Sequence, residues 1–166
     1  MNLLFAMTLL LLAPGQVDAA DEQARADAAR GHYRANRFAT AASEFERLWR
    51  DYKVPKYIYN AGLAREGLGH DARAILAWRQ FLAQPGVLAA EAAKARTKLD
   101  AALARTTPVS LRLGPAEALV GATLRIQRDD GDPDPMEISV AELSDGGEDR
   151  SLHLEPASWT LSLAPA

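Results

Sequence analysis

The side chains that could support catalysis or hold a metal ion are few and scattered. Three histidines occur, His32, His70 and His153, and no two of them have the i, i+4 spacing that zinc-binding helices use. The chain has no cysteine, which excludes disulfides, thiolate metal sites and thiol nucleophiles. No G-x-S-x-G elbow, G-x-x-x-x-G-K-[ST] phosphate loop or G-x-G-x-x-G fingerprint is present. We therefore predict a protein that is not an enzyme and that has no resident cofactor or metal.

An acid-rich stretch at residues 129–135 (DDGDPDP) is the one place where several carboxylates could meet a cation. Calcium takes six to eight oxygen ligands, and these aspartates could supply some of them. The spacing departs from that of the EF-hand loop, and two prolines stiffen the stretch. We predict a charged hairpin loop, with a calcium site as the alternative.

Basic residues recur near the end of the helical part of the chain. Lys94, Lys98 and Arg105 return to about the same side of a helix because they are separated by steps of four and eleven residues. Such a face is either solvated or docks on an acidic partner. The aromatic residues that stack on bases are missing here, so we predict no nucleic-acid partner.

The elements that position these side chains fall into two groups. Between residues 21 and 105, apolar residues return at helical spacing, whereas beyond Pro108 apolar and polar residues alternate. We expect Asn36 and Gly69 to adopt the left-handed conformation that ends helices, Pro55 to begin the third helix and Asp71 to cap the fourth. The predicted helices are 21–35, 38–52, 55–68, 71–84 and 87–105.

The second group consists of short strands separated by Gly-, Pro- and Asp-rich turns. Trp159 alternates with Leu161 and Leu163 on one strand face, which favours a core position for Trp159. The fold class is therefore α+β, with a small antiparallel β-sandwich-like domain whose edge would invite pairing with another chain. The predicted strands are 109–113, 122–127, 136–143, 151–154 and 159–163.

A pattern of a small residue, an aromatic residue four positions on and a bulky residue three further on occurs twice, 33 residues apart. Helix pairs that recur at this period are typical of helical solenoids. The two copies are Ala41-Phe45-Leu48 and Ala74-Trp78-Phe81.

Residues 56–86 resemble a tetratricopeptide repeat (TPR), with Gly62 at the helix crossing, Gly69 at the turn and Pro85 at the end. Residues 22–54 resemble a more divergent repeat in which Ala29 stands at the crossing position. The resemblance implies a TPR-like array of about five helices in which 87–105 is the capping helix. Two repeats and a cap form a short solenoid, so the β-domain or a partner would cover an exposed end.

The same resemblance implies a protein or peptide partner and an adaptor or scaffold role. It implies a binding groove on the concave face, lined by the first helix of each pair. Related repeats carry an asparagine at the position of Asn60 that binds the ligand backbone, and Arg30 and Arg34 could bind carboxylates through two hydrogen bonds each. The alternative for the two tyrosines is that they only pack between helices. The implied groove residues are Arg30, Tyr33, Arg34, Tyr59, Asn60 and Leu63.

The stretches GATLRIQ and LHLEPASWTLSLAPA resemble Ig-like or prealbumin-like modules, such as PEGA and carboxypeptidase-regulatory-like domains, which accompany TPRs in exported bacterial proteins. Ser158 stands where such modules have a glycine before the last strand. An alternative function follows, in which the β-domain binds glycan or peptidoglycan at the cell envelope and Trp159 is the aromatic platform. A third possibility is an obligate oligomer or larger assembly.

The first nineteen residues have the features of a signal peptide. An apolar run from Leu3 to Ala13 is followed by Pro14-Gly15 and by a small-residue cleavage site that ends at Ala19. The run is too short to cross a bilayer, which needs about 20 residues. We therefore predict a periplasmic or secreted protein without a transmembrane segment, organised as a signal peptide at 1–19, a helical domain at 21–105 and a β-domain at 107–166.

The two predicted domains differ in charge. Residues 21–105 carry 15 Lys and Arg against 10 Asp and Glu, whereas residues 106–166 carry 4 against 11. Because the basic residues are interspersed with acids, we expect the two domains to attract each other rather than a polyanion.

Overall fold

The computed structural model describes residues 19–109, 121–128, 135–139, 152–154, 156 and 158–164. Helices come first and strands follow, which confirms the predicted α+β class. The helices are α1 (Ala19–Arg34), α2 (Phe38–Tyr52), α3 (Pro55–Gly67), α4 (Asp71–Leu82) and α5 (Ala89–Leu103). The strands are β1 (Thr107–Val109), β2 (Thr123–Arg128), β3 (Met136–Ser139), β4 (Leu152–Leu154) and β5 (Trp159–Ala164). Of the predicted signal peptide and the acid-rich stretch, residues 1–18 and 129–134 lie outside the described residues.

Most of the predicted helix boundaries are confirmed. Asn36 and Gly69 have φ values of 57° and 72°, so both adopt the left-handed conformation that allows a new helix to start immediately. Pro55 lies in the first turn of α3, where its missing N–H costs no hydrogen bond. The segment between α4 and α5 is longer than predicted, because α4 ends at Leu82 and α5 begins only at Ala89.

The predicted cap of α4 is wrong. The N-cap position belongs to His70, which makes no side-chain capping hydrogen bond. The Asp71 carboxylate instead accepts hydrogen bonds from Arg105 Nη2 at 2.6 Å and from Arg105 Nε at 2.8 Å. An ion pair with a residue 34 positions away therefore replaces the local capping interaction.

Each helix packs against the next one along the chain. The two repeated triplets, Ala41-Phe45-Leu48 and Ala74-Trp78-Phe81, are buried to 3% exposure or less. A Cβ atom at Gly62 would lie 2.5 Å from Nε1 of Trp78, so only glycine at this position allows α3 to approach α4 this closely. Gly62 therefore has the helix-crossing position that its place in the sequence predicts.

The strands form two antiparallel units. The sheet has the order β3-β2-β5, and β1 pairs separately with β4. One face of the sheet carries buried apolar residues from β2 and β3, and it packs against Ala72 and Leu76 of α4. Helix α4 thus contributes to both the helical core and the β core. The other members of the β core are Leu124, Ile126, Met136, Ile138 and Leu154, with Val109 and Trp159 at its margin.

None of the five helices in the described part of the chain has the length and apolar character needed to span a bilayer.

Candidate functional site

The six groove residues predicted from the repeat resemblance lie along one side of the helices. Five of them line a concavity of about 290 Å³ between α1, α2 and α3. The sixth, Tyr59, lines a second concavity of about 500 Å³ between α3, the end of α4 and the start of α5. Asn60 borders both, so the two concavities are adjacent. We call the two together the groove.

Helical spacing explains why these residues meet. Arg30, Tyr33 and Arg34 are three and four positions apart on α1, and Asn60 and Leu63 are three apart on α3, so each set projects from one side of its helix. The first concavity is lined by Arg30, Tyr33, Arg34, Phe45, Asn60 and Leu63. The second is lined by Pro55, Lys56, Tyr59, Asn60, Phe81, Gly86, Val87, Leu88, Glu91 and Lys94.

The two groove tyrosines both pack against the core and line the groove. The ring of Tyr33 meets Phe38 edge-on at 5.3 Å between centroids, and that of Tyr59 meets Phe81 at 5.2 Å. Each is half-buried. The packing role and the groove role are therefore compatible at these positions. Each tyrosine presents an aromatic surface to the groove while its ring packs against a phenylalanine.

The side-chain amide of Asn60 lies where the two concavities join. It is half-buried, and it makes no hydrogen bond with any described residue. An amide has both a donor and an acceptor, which match the C=O and N–H of an extended backbone. Asn60 is therefore placed to bind the main chain of a ligand that follows the groove.

Basic side chains outnumber acidic ones along the groove. Arg34 and Lys94 are exposed, and neither forms an ion pair within the described residues. Lys56 lies 3.7 Å from Glu22 and 4.7 Å from the centre of the Tyr57 ring. Among the described residues that line the groove, Glu91 is the only one with a carboxylate.

Arg30 is partly neutralised by a neighbour on its own helix. It forms an ion pair with Asp27, one turn earlier. The hydrogen bond from Arg30, together with one from Gln23, holds the pKa of Asp27 below its usual range. Arg34 and Lys94 are therefore the cations most available to an incoming carboxylate.

The basic face predicted on the last helix is largely neutralised by contacts within the protein. Lys98 Nζ lies 2.8 Å from Glu66, and Arg105 pairs with Asp71 and with Glu66 at 3.4 Å. The hydrogen bonds to Asp71 raise the pKa of Arg105. Lys98 and Arg105 thus remain 42% and 46% exposed while they pair with carboxylates of α3 and α4, and Lys94 lines the groove.

The histidines give no indication of a shared metal site. His32 Nδ1 accepts a hydrogen bond from Arg37 at 2.9 Å, and His153 Nδ1 lies 3.4 Å from the Thr106 hydroxyl. Among the described residues, no three His, Asp or Glu side chains are grouped as metal ligands would be.

The sequence did not predict that the segment between α4 and α5 lines part of the groove. Val87 and Leu88 belong to it, and Leu88 is 66% exposed at the rim of the groove. The prediction that α5 begins at residue 87 concealed this turn. Gly86, with a φ of 80°, lies in the break that the sequence predicts before the fifth helix, but the break extends further, to Leu88.

Trp159, the aromatic platform of the alternative glycan-binding function, lies in the β-domain and not in the groove. Trp159 is half-buried and packs against the β core. The guanidinium carbon of Arg128 lies 6.0 Å from the centre of its ring. Trp159 therefore packs against the β core as predicted, whereas Leu161 and Leu163 of the same strand are exposed.

Comparison of the chain with protein-family models, with curated proteins and with solved structures gives no match.

Proposed function

We propose that this protein is a non-enzymatic interaction adaptor that binds an extended segment of a partner protein in the groove. The observation that supports this most strongly is that all six predicted residues line two adjacent concavities that share Asn60. The resemblance to a repeat implies these positions without any reference to a cavity.

The chemistry of the groove indicates the class of ligand. Aromatic and aliphatic walls at Tyr33, Tyr59 and Leu63 favour apolar side chains, and the Asn60 amide can bind the backbone between them. Arg34 in one concavity and Lys94 in the other add positive charge. A peptide that combines bulky apolar residues with carboxylates fits this arrangement, and its affinity should fall as salt is added.

The architecture that we propose is two TPR-like hairpins, α1–α2 and α3–α4, followed by α5 as a cap. The 33-residue recurrence and the close contact between Gly62 and Trp78 support it. We also propose export to the periplasm or the medium, on the basis of the leader-like residues 1–19.

The groove is a better candidate site than the β-domain. A glycan platform requires an accessible aromatic face, and Trp159 uses part of its surface against the β core. Binding of the full chain to purified peptidoglycan, retained when Asn60 is replaced by Ala, would reverse this preference.

The experiment is a selection of phage-displayed random peptides on the immobilised full chain, followed by calorimetry with the enriched peptides. We expect Asn60→Ala and Arg34→Ala each to weaken binding by about tenfold or more, because truncating a central contact of an interface has effects of this size. Melting temperatures should change little, since Arg34 is exposed and Asn60 makes no hydrogen bond with a described residue.

Arg96→Ala is the matched control, because Arg96 is an exposed cation of α5 that does not line the groove. Equal weakening by Arg96→Ala would show that the effect is one of overall charge. The absence of any enriched peptide, or binding that is unchanged in both groove variants, would contradict the proposed function.

A further inference from the structure

The second concavity of the groove differs from the first in size and in lining. Its volume is about 500 Å³, against about 290 Å³ for the first. Its apolar walls come from α3, from the end of α4 and from the turn that precedes α5. A concavity of this size and lining accommodates one large apolar side chain of a ligand. The residues that form these walls are Pro55, Tyr59, Phe81, Val87 and Leu88.

The turn before α5 holds Leu88 at the rim of this concavity. Val87 packs against the helical core. The backbone carbonyl of Leu88 accepts hydrogen bonds from the N–H groups of Glu91 and Ala92, at 3.0 and 2.9 Å. The backbone of Leu88 is therefore held in place, while its side chain is 66% exposed. A ligand that buries this side chain gains apolar contact without the cost of ordering a loop.

The first concavity keeps a positive charge, whereas the charges of the second are balanced. Arg34 is exposed and forms no ion pair within the described residues, and none of the described residues that line the first concavity is acidic. In the second concavity, Lys94 and Glu91 lie one turn apart on α5, and Lys56 lies 3.7 Å from Glu22. We therefore expect the first concavity to favour a carboxylate and the second to favour an uncharged side chain.

Asn60 relates the positions of the two ligand residues to each other. It borders both concavities, so they lie next to each other along the ligand. Side chains that enter both from one extended segment must project from the same side of that segment. Because successive side chains of an extended chain alternate between opposite sides, the two residues are an even number of positions apart. The smallest such separation, two positions or about 6.7 Å, fits concavities that share a lining residue.

We propose that the groove recognises a bulky apolar residue and an acidic residue two positions apart in an extended ligand, and that Leu88 determines the selectivity for the apolar one. The apolar side chain enters the second concavity against Leu88, Tyr59 and Phe81, and the carboxylate binds Arg34 in the first. This inference rests on the proposed function. It adds the sequence pattern of the ligand and a selectivity residue outside the six that the repeat resemblance implies.

The first test is calorimetry of the full chain with short glycine–serine peptides that have blocked termini and contain one tryptophan and one glutamate. We expect the tightest binding when the two residues are two positions apart, in one of their two orders. Moving the glutamate by one position should weaken binding by about tenfold, because its carboxylate then projects from the opposite side of the chain. Replacing the tryptophan by alanine should have an effect of similar size, because the second concavity is then left unfilled.

The second test pairs variants of the protein with variants of the peptide. Leu88→Ala should weaken binding of the tryptophan peptide by about fivefold and that of the alanine peptide by less than about twofold, because only the first peptide fills the concavity. Arg34→Ala should weaken both peptides by the same factor, since it removes the contact with the glutamate that they share. Leu163→Ala is the matched control, because Leu163 is an exposed leucine that does not line the groove, and it should leave both affinities unchanged.

The outcomes separate this inference from the proposed function. Equal affinity at every spacing would overturn the inference alone, as would a Leu88→Ala variant that weakens the tryptophan and alanine peptides by the same factor. In either case binding that still depends on Asn60 and Arg34 would leave the adaptor function intact. If neither these peptides nor any peptide from the selection binds the full chain, both proposals fail.

Discussion

The two helical hairpins solve the same packing problem with different pairs of residues. In α3–α4 the crossing position is Gly62 and the aromatic residue is Trp78, whose ring lies against the bare glycine backbone. In α1–α2 the corresponding residues are Ala29 and Phe45, both buried. A larger aromatic residue thus accompanies a smaller crossing residue. The comparison teaches that the two hairpins fill the crossing to a similar total volume with different residues.

The hairpins also differ in how much apolar surface they bury. Helix α1 buries only Ala26 and Ala29, whereas α3 has six buried positions. Polar contacts with neighbouring helices supplement the packing of α1: Arg25 lies 2.8 Å from Asp51 of α2, and the Tyr57 hydroxyl of α3 donates a hydrogen bond to Glu22. We therefore expect α3–α4 to dominate the stability of the helical part, and α1 to open first on mild denaturation.

The largest predicted effect is that of Trp78→Ala. It should lower the free energy of unfolding by about 4 kcal/mol, because it removes the largest fully buried side chain from the core. Phe45→Ala, the equivalent change in the first hairpin, should cost about 3 kcal/mol. Urea titration followed by circular dichroism measures both. A greater loss in Phe45→Ala would contradict the dominance of the second hairpin.

The contact between the hairpins is tested by Glu46→Ala. Arg65 of α3, whose side chain is 4% exposed, donates two hydrogen bonds of 2.9 and 3.0 Å to Glu46 of α2. Removing the carboxylate leaves a buried cation unpaired, which we expect to cost about 2.5 kcal/mol, since Glu46 itself is partly solvated. Glu44→Ala is the control, because Glu44 pairs with the exposed Arg47, and it should cost about 0.5 kcal/mol or less. Equal losses would show that Arg65 finds another partner.

Gly62→Ala tests the volume compensation directly. The clash with Trp78 should outweigh the better helix propensity of alanine and leave a net loss of about 1.5 kcal/mol. Adding Trp78→Phe reproduces the Ala and Phe pair of the first hairpin, and it should recover part of the loss. The control is Gly31→Ala, where a Cβ atom meets nothing within 4 Å and stability should rise by about 0.7 kcal/mol. If the double variant is less stable than either single variant, the compensation is refuted.

The smallest predicted effect is on stability at alkaline pH. It involves the hydrogen bond from Tyr57 of α3 to Glu22 of α1. Burial, together with the hydrogen bond to Glu22, raises the pKa of Tyr57 above its usual value. The folded state therefore keeps the phenolic proton at a pH where the unfolded chain loses it. The contribution of Tyr57 to the free energy of unfolding is therefore complete below about pH 10, and it declines as the pH rises above that value.

Tyr57→Phe should cost about 1 kcal/mol at neutral pH, because it removes this hydrogen bond, and it should flatten the alkaline decline. Urea titrations at neutral pH and above pH 10 measure both effects. Tyr52 also has a raised pKa, so a part of the decline should persist in the variant. An unchanged pH dependence would mean that Tyr57 titrates as it does in the unfolded chain.

Periodic features of the helical part could be predicted from the sequence. The triplets around Phe45 and Trp78 lie in the core because their spacing is that of one helix face, and Gly62 marks the crossing because it belongs to the repeat pattern. The groove residues on α1 and α3 are implied by the resemblance to a repeat, and helical spacing explains only why the members of each set project from one side of their helix.

Contacts between distant residues could not be predicted in this way. The ion pair between Asp71 and Arg105 competes with a local capping role, and nothing in the order of residues indicates which interaction prevails. Alternation in β5 correctly places Leu161 and Leu163 on the apolar face of the sheet. The alternation does not reveal whether another element covers this face of β5. Helix α4 does not cover Leu161 and Leu163.

The position of α4 has a consequence for the modularity of the chain. Thr106 divides helices from strands in the linear sequence, but the β core rests on Ala72 and Leu76, and Arg105 holds the start of α4. Separating the chain at Thr106 would therefore take the strands away from the apolar surface of α4 on which they pack. It would also expose that surface to solvent. We therefore expect the two halves to unfold together, and a recombination event that transfers the strands to another protein to succeed only if it transfers α4 with them.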